Sequence, residues 1–174
     1  MTALTFADPT PDAMPLHLVT KERFGVWLSL LDETTRAWVE AAEFDGGAGQ
    51  IVLFPGPDGD IAGAAGGLGS DSDRARARFL SARVRVALPG GTWRLATELA
   101  EDLIGEVALG WLFAGYTFGR YRDAPPPKAT LVAPDTIDRA AVERTAKAEA
   151  RVRDLINTPA NDMGPAELDA AVQA

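Results

Sequence analysis

The spacing of apolar positions switches along the chain between short runs of period two and longer stretches with a period near 3.6. "PLHLV" (Pro15 to Val19) predicts a first strand. "DETTRAWVEAAEF" (32–44) predicts a helix with Asp32 as its N-cap and Trp38, Ala41 and Ala42 along its apolar side. "QIVLFPGPDGDIAGAAGGLG" (50–69) predicts two strands about a Pro/Gly/Asp turn at residues 55–60. "RVRVAL" alternates Val84, Val86 and Leu88 with Arg83 and Arg85, which predicts a half-buried strand, with "TWRLA" returning as its hairpin partner.

The longest periodic stretch, "ATELAEDLIGEVALGWLFAGYTFGRYR" (96–122), predicts a helix capped by Thr97, with Glu98, Glu101 and Asp102 at its positive end. Leu99, Leu103, Val107, Trp111, Ala114 and Phe118 form one stripe, widened by Ile104, Ala108, Leu112 and Gly115, so this is a core helix. "DAPPP" ends it and "KATLVAP" (128–134) predicts a buried strand. From Asp135 the chain becomes Ala-rich and charged, with Glu143/Lys147 and Glu149/Arg153 paired at i,i+4 and a thin apolar stripe. That pattern suits a helix bridging two domains. Strands alternating with helices give an α/β class with a mixed sheet flanked by helices.

Composition narrows the function classes. A chain of 174 residues suffices for one full domain. With no cysteine it holds no disulfide, thiolate zinc site or thiol nucleophile, which agrees with a cytoplasmic setting. The start, "MTALTFADPTPDAMP", lacks the basic and apolar regions of a signal peptide, and the longest apolar stretch, interrupted by Glu106, is too short to span a bilayer. A net charge of −8 argues against general polyanion binding.

Several residues invite a chemical reading. The Gly-rich run "GAAGGLGSDSD" fits neither G-x-G-x-x-G nor the P-loop pattern, and a tightly packed strand and turn is the favoured account. Asp58 with Asp60, and Asp71 with Asp73, resemble fragments of a cation site but do not continue into an EF-hand loop, so turn and capping roles are expected. His17 is the only histidine and no G-x-S-x-G elbow accompanies it, so neither a multi-His metal site nor a serine triad is expected. Five arginines lie between Arg74 and Arg85, and "YTFGRYR" interleaves Tyr116, Phe118 and Tyr121 with Arg120 and Arg122. Such a surface could stack and bind phosphates, yet arginines on the outer face of a strand and aromatics closing a core helix explain both stretches. Asn157 and Asn161, beside Pro159, are expected to serve loop hydrogen bonding.

The end of the chain is the most specific part. In "RDLINTPANDMGPAEL" (153–168) an Asn-Pro loop leads to Pro165 at a first helical position, with Glu167 near the positive helix end. A helix of about ten residues is marginal alone, so this segment reads as a beginning. Together with the Gly-rich strand "AGAAGGLG", "LPGGTWRLA" and "FAGYTFGRYR" (Phe113 to Arg122), which precede it in that order, it strongly resembles the leucyl (cytosol) aminopeptidases. In that family an Asn-Thr-Pro-x-Asn loop follows an interdomain helix.

The resemblance implies an N-terminal α/β domain similar to the macro domain (1–134), an interdomain linker helix (135–157) and the first part of a catalytic domain (158–174). It implies a parent metallopeptidase, usually hexameric and cytoplasmic, that hydrolyses N-terminal residues from peptides. Two divalent metal ions, zinc or manganese, would be held by Lys, Asp and Glu side chains downstream. No catalytic, metal or cofactor residue is therefore assigned in this chain, which alone is expected to be inactive. Its partners would be that catalytic domain and further copies of the chain, with no nucleic acid and no membrane. The apolar groups of 158–174 are expected to find few partners among residues 1–135. Two other readings stand beside it: a stand-alone macro-like module binding a nucleotide such as ADP-ribose, and a nucleic-acid-binding regulator using the arginine stretch.

Overall fold

In the computed structural model, which describes residues 4–173, five strands form one sheet in the order β2-β3-β1-β4-β5. Residues 1–3, the first of the stretch judged not to be a signal peptide, and Ala174, the last of the tail, lie outside the described residues. The strands are β1 (Met14–Val19), β2 (Ile51–Pro55), β3 (Ile61–Gly67), β4 (Gly91–Leu95) and β5 (Ala129–Leu131). β2 and β3 form an antiparallel hairpin around the anticipated turn, and every other pairing is parallel. The helices are α1 (Phe24–Ser29), α2 (Glu33–Ala41), α3 (Asp71–Arg76), α4 (Ser81–Ala87), α5 (Glu101–Phe113), α6 (Arg139–Asn157) and α7 (Pro165–Gln173).

The period of two in β1 sorts its side chains between two cores. Leu16 and Leu18 point with Ala64, Trp93 and Leu131 into the larger core, which α4, α5 and α6 close with Val84, Trp111, Leu112, Ala146 and Ala150. Val19 points the other way with Val52 and Ala65, under Trp27, Val39 and Phe44. The N-terminal segment is tied to α6 through Phe6, whose N–H donates to Glu143 at 3.0 Å and whose carbonyl accepts from Arg139 at 2.8 Å.

Four local expectations need correction. "RVRVAL" is the helix α4 and not a strand. Its buried positions are Ser81, Val84 and Arg85, preceded by Leu80 and followed by Leu88, and Val86 is 66% exposed. Over six residues an alternating pattern cannot exclude a helix, and the decisive contribution is tertiary: Arg85 reaches buried carbonyls from the helical side. Leu88, extended before Pro89, ends the helix. "TWRLA" accordingly has no hairpin partner; β4 runs parallel between β1 and β5.

The core helix is shorter than its periodicity suggests. α5 starts at Glu101 after an Ala100 N-cap that makes no side-chain bond, while Thr97 sits in the preceding loop with its hydroxyl 3.3 Å from His17 Nδ1. It ends at Phe113, where Gly115 and Tyr116 turn back onto Leu112 and Phe113, so Phe118 is a partly buried loop residue. Finally, α2 buries Val39, not Trp38, Ala41 or Ala42; Trp38 is 49% exposed and donates its indole N–H to the Leu53 carbonyl at 2.9 Å. Asp32 caps that helix as anticipated, accepting from the Thr35 N–H at 3.0 Å.

Candidate functional site

The two sequence signatures, "YTFGRYR" and "RDLINTPAND", meet where α5 runs out beside the end of α6. The Tyr116 hydroxyl donates to Asp154 at 2.8 Å and accepts from the Asn157 side-chain amide at 3.1 Å. Tyr121 donates its hydroxyl to Asp162, in the turn that precedes α7. Arg153, held to Glu149 at 3.0 Å, lies over the rings of Phe113 and Tyr116 at 5.1 and 5.5 Å. Thr158 ends α6 by returning both its N–H and its hydroxyl to the Asp154 carbonyl, at 3.0 and 2.6 Å. Its extended backbone is what a residue before proline favours.

This arrangement is one of positioning. Burial first, and then donation to the Asp154 carboxylate, hold the Tyr116 phenol above its usual 10; the hydrogen bond to Asp162 does the same for Tyr121. Both phenols therefore act at neutral pH as fixed donors, not as proton-transfer groups. They aim the chain that leaves α6 toward α7. Beyond that point Leu168 and Val172 stay outside the core, 46% and 75% exposed, and Val152 and Ile156 on α6 are likewise exposed at 49% and 75%. Beside the junction lies a polar cavity of about 450 Å³ lined by Thr117, Phe118, Arg120, Asp123, Asp154 and Thr158.

A larger cleft, about 840 Å³, opens past the carboxyl ends of β1 and β4. Here the chain order reverses, since β1 is flanked by β3 on one side and β4 on the other, and clefts of α/β sheets form at such points. His17 lines it. Its Nδ1 accepts the Trp27 indole N–H at 3.1 Å, which leaves the imidazole proton on Nε2. Burial, reinforced by the nearby Arg94 charge, lowers its pKa below the ordinary value, so it is neutral. The lining carries Glu22, Asp71, Glu98, Asp102 and Glu106 against Arg23 and Arg74 only. Arg74 is itself bound to Asp71 and to the Gly69 carbonyl. That balance does not suit a phosphate ligand.

The other residues raised by the sequence are scattered, each with a local task. Asp58 and Asp60 occupy the β2–β3 turn, where the Asp60 carbonyl accepts from Gly56 N–H at 2.8 Å. Asp73 closes a reciprocal capping box with Ser70 at the start of α3, and Asp71 pairs with Arg74. The glycines of the Gly-rich run up to Gly67 lie in β3, an interior strand between β2 and β1. A Cβ at Gly66 would meet Val84 at 2.6 Å, and one at Gly67 would collide with the Gly47 carbonyl oxygen. The arginines do not share a strand face: Arg74 and Arg76 belong to α3, Arg78 pairs with Glu106 at 3.0 Å, and Arg85 is buried. The buried Arg85, the Glu106 carboxylate that also receives the Phe79 N–H at 3.1 Å, and the cleft itself escaped sequence reasoning. Among the described residues, no group of three or more His, Cys, Asp or Glu is placed to hold a metal ion.

Fold and junction together define a five-stranded mixed α/β domain that orients a departing helical segment. Residues 14–134 match the N-terminal domain of the M17 aminopeptidases, and the chain belongs to that family. It is 30% identical over 180 residues to the "Probable cytosol aminopeptidase" of Streptomyces coelicolor, an alignment covering 82% of this chain and 35% of that protein. Among solved structures, the cytosol aminopeptidase of Coxiella burnetii superposes with a TM-score of 0.82 at 28% identity, over 98% of this chain and 36% of the other. The bottromycin maturation enzyme BotP, solved in complex with Mn, shares the fold with a TM-score of 0.65 at 23% identity, over 94% and 36% of the two chains. The chain thus spans about a third of the length of the relatives it matches. Among the described residues, no helix is long and apolar enough to cross a membrane.

Proposed function

We propose that this chain is the non-catalytic N-terminal portion of a cytoplasmic, metal-dependent leucyl aminopeptidase, which hydrolyses N-terminal residues from peptides. The division is a domain at 1–134, an interdomain helix at 135–157 and the opening of the catalytic domain at 158–174. On this reading the two divalent ions of the parent enzyme, zinc or manganese, and its catalytic groups belong to the catalytic domain. This portion shapes subunit contacts within a homo-oligomer, a hexamer in the whole enzyme, and access to the active site.

The observation that carries the reading is the junction. Tyr116, Tyr121, Asp154 and Asp162 fix the direction of the departing segment, and Val152 and Ile156 on α6 with Leu168 and Val172 on α7 are left exposed beside it, as an apolar face awaiting the catalytic domain would be. The test joins the chain to the catalytic domain of an M17 aminopeptidase and introduces Ile156→Glu with Leu168→Glu. Because both side chains are exposed here, the stability of the 174-residue chain should change by no more than about 0.5 kcal/mol. Leucine release by the joined protein should fall at least about tenfold, which is about 1.4 kcal/mol of lost coupling. Unchanged leucine release would show that these residues meet no catalytic domain.

A further inference from the structure

The cleft beyond β1 and β4 shares no lining residue with the junction, and its volume of about 840 Å³ is in the range of clefts that hold small ligands. Apolar side chains line it from two elements. Val26 and Leu30, one helical turn apart on α1, are 66% and 79% exposed, and Leu99 and Leu103 flank the start of α5. An apolar ligand would remove this surface from water. The ionic groups of the lining divide into those already paired and those that are not. Arg74 is bound to Asp71 and lies 3.6 Å from Glu22, and Glu106 takes Arg78. Glu98, Asp102 and Arg23 are exposed and in no ion pair among the described residues, so the uncommitted charge of the lining is negative. Asp102 suits the positive end of α5, but Glu98 stands before the Ala100 N-cap, outside the helix. His17 adds a neutral donor. Its Nδ1 is taken by Trp27, and the protonated Nε2 is neither bonded among the described residues nor sealed from solvent.

We propose that the cleft is a non-catalytic binding site for the amino-terminal end of a short apolar peptide. The protonated α-amine meets Glu98 and Asp102, aliphatic side chains lie against Val26, Leu30, Leu99 and Leu103, and peptide carbonyls accept from His17 Nε2–H and Arg23. An amine on an apolar body satisfies the lip and the carboxylates; a peptide alone also uses the two donors. A site built from partly exposed groups binds weakly, since the ordering of ligand and side chains offsets much of what the contacts contribute. The inference goes beyond the aminopeptidase reading: peptide binding in this cleft and peptide hydrolysis by a catalytic domain can each fail without the other.

The test is isothermal titration of the whole chain with leucyl-leucinamide at about 20 mM salt, where screening is weak. N-acetyl-leucyl-leucinamide supplies the same body without the charge. The free amine should bind one to one with a Kd of about 0.1–1 mM. Acetylation should weaken binding at least about fivefold, because each partly exposed ion pair contributes a few-fold. Glu98→Gln with Asp102→Asn should weaken the free amine by a similar factor and leave the acetylated peptide unchanged, a split that a loss of folding would not produce. Val26→Ser with Leu30→Ser should weaken both peptides. All four positions are exposed, so both variants should keep the wild-type circular dichroism spectrum. No saturable binding of the free amine up to about 10 mM, equal affinity for the two peptides, or carboxamide variants that bind like wild type would each overturn the proposal. So would ADP-ribose binding more tightly than the free amine, which would make the cleft an anion site. Isopentylamine, which has the charge and the branched body without a peptide group, should bind at least about tenfold more weakly, and equal affinity would overturn the assignment to a peptide.

Discussion

Replacing Arg85 with methionine separates the two accounts of residues 83–88 most sharply. As an outward residue of a strand, Arg85 would be expendable, with a cost within about 0.5 kcal/mol. In the structure its side chain is 1% exposed, its Nε donates to the Ala129 carbonyl at 3.1 Å and an Nη donates to the Trp111 carbonyl at 2.7 Å. The guanidinium also lies 5.7 Å from the centre of the Trp111 ring. Burial lowers its pKa to about 10, so it remains protonated at neutral pH and its hydrogen bonds are charge-assisted. It links α4 to the last turn of α5 and to β5, three elements that no other single side chain of α4 joins through hydrogen bonds among the described residues. Methionine keeps most of the aliphatic volume but leaves those two carbonyls without this donor, at about 1–3 kcal/mol each. Removing a buried charge returns part of that cost, so the net loss should be about 2–4 kcal/mol. For a chain of this size that corresponds to a fall in Tm of roughly 5–15 °C. Arg85→Lys should recover only part, because an ammonium cannot reproduce the fork that spans both carbonyls. Urea denaturation gives the numbers, with Val86→Ala, at a position 66% exposed, as the near-neutral control. An Arg85→Met protein as stable as wild type, or a Val86→Ala protein less stable than it, would refute the buried-helix account.

Trp111, 1% exposed in the centre of the larger core, should cost about 3–5 kcal/mol when cut to alanine, as read from the same denaturation curves. Gly105→Ala, with open space at its Cβ, should stabilise α5 by about 0.5–1 kcal/mol, whereas Gly67→Ala should destabilise by about 1–3 kcal/mol or more through its collision with the Gly47 carbonyl. His17 has a folded pKa below the ordinary 6.5, so the unfolded chain gains a proton that the native state resists. Its contribution is complete above about pH 6.5 and is lost as the pH falls through the folded value; Tm measured from pH 7.5 to 5 should therefore slope less steeply in His17→Gln. Amide exchange should be fast across α7, with its exposed Leu168 and Val172, and slow across α5.

Local rules held where local chemistry decides the outcome. Asp32 caps α2, Pro165 opens α7, and the Pro/Gly/Asp turn joins β2 to β3, because each depends on neighbours a few residues away. They failed where distant contacts override them. Nothing near Arg85 announces that its partners will be Ala129 and Trp111, and nothing near Thr97 shows that its hydroxyl will turn toward His17 instead of capping α5. The junction was half legible. Both signatures stand out in the sequence, yet Tyr116 meets Asp154 across 38 residues and Tyr121 meets Asp162 across 41, separations that only the packing of α5 on α6 closes. The cleft was illegible for the same reason: its lining comes from residues 17–31, 71–74 and 96–106, none of which carries a motif.

The central claim is that this chain orients and supports an aminopeptidase without carrying its chemistry. The most direct measurement is leucine release from a leucyl anilide by the purified chain, with and without added zinc or manganese. The account predicts no release above the rate of buffer and metal alone, since it assigns the metal-ligand motifs to the catalytic domain and none to this chain. Metal-dependent release that scales with protein concentration and disappears with a chelator would contradict it.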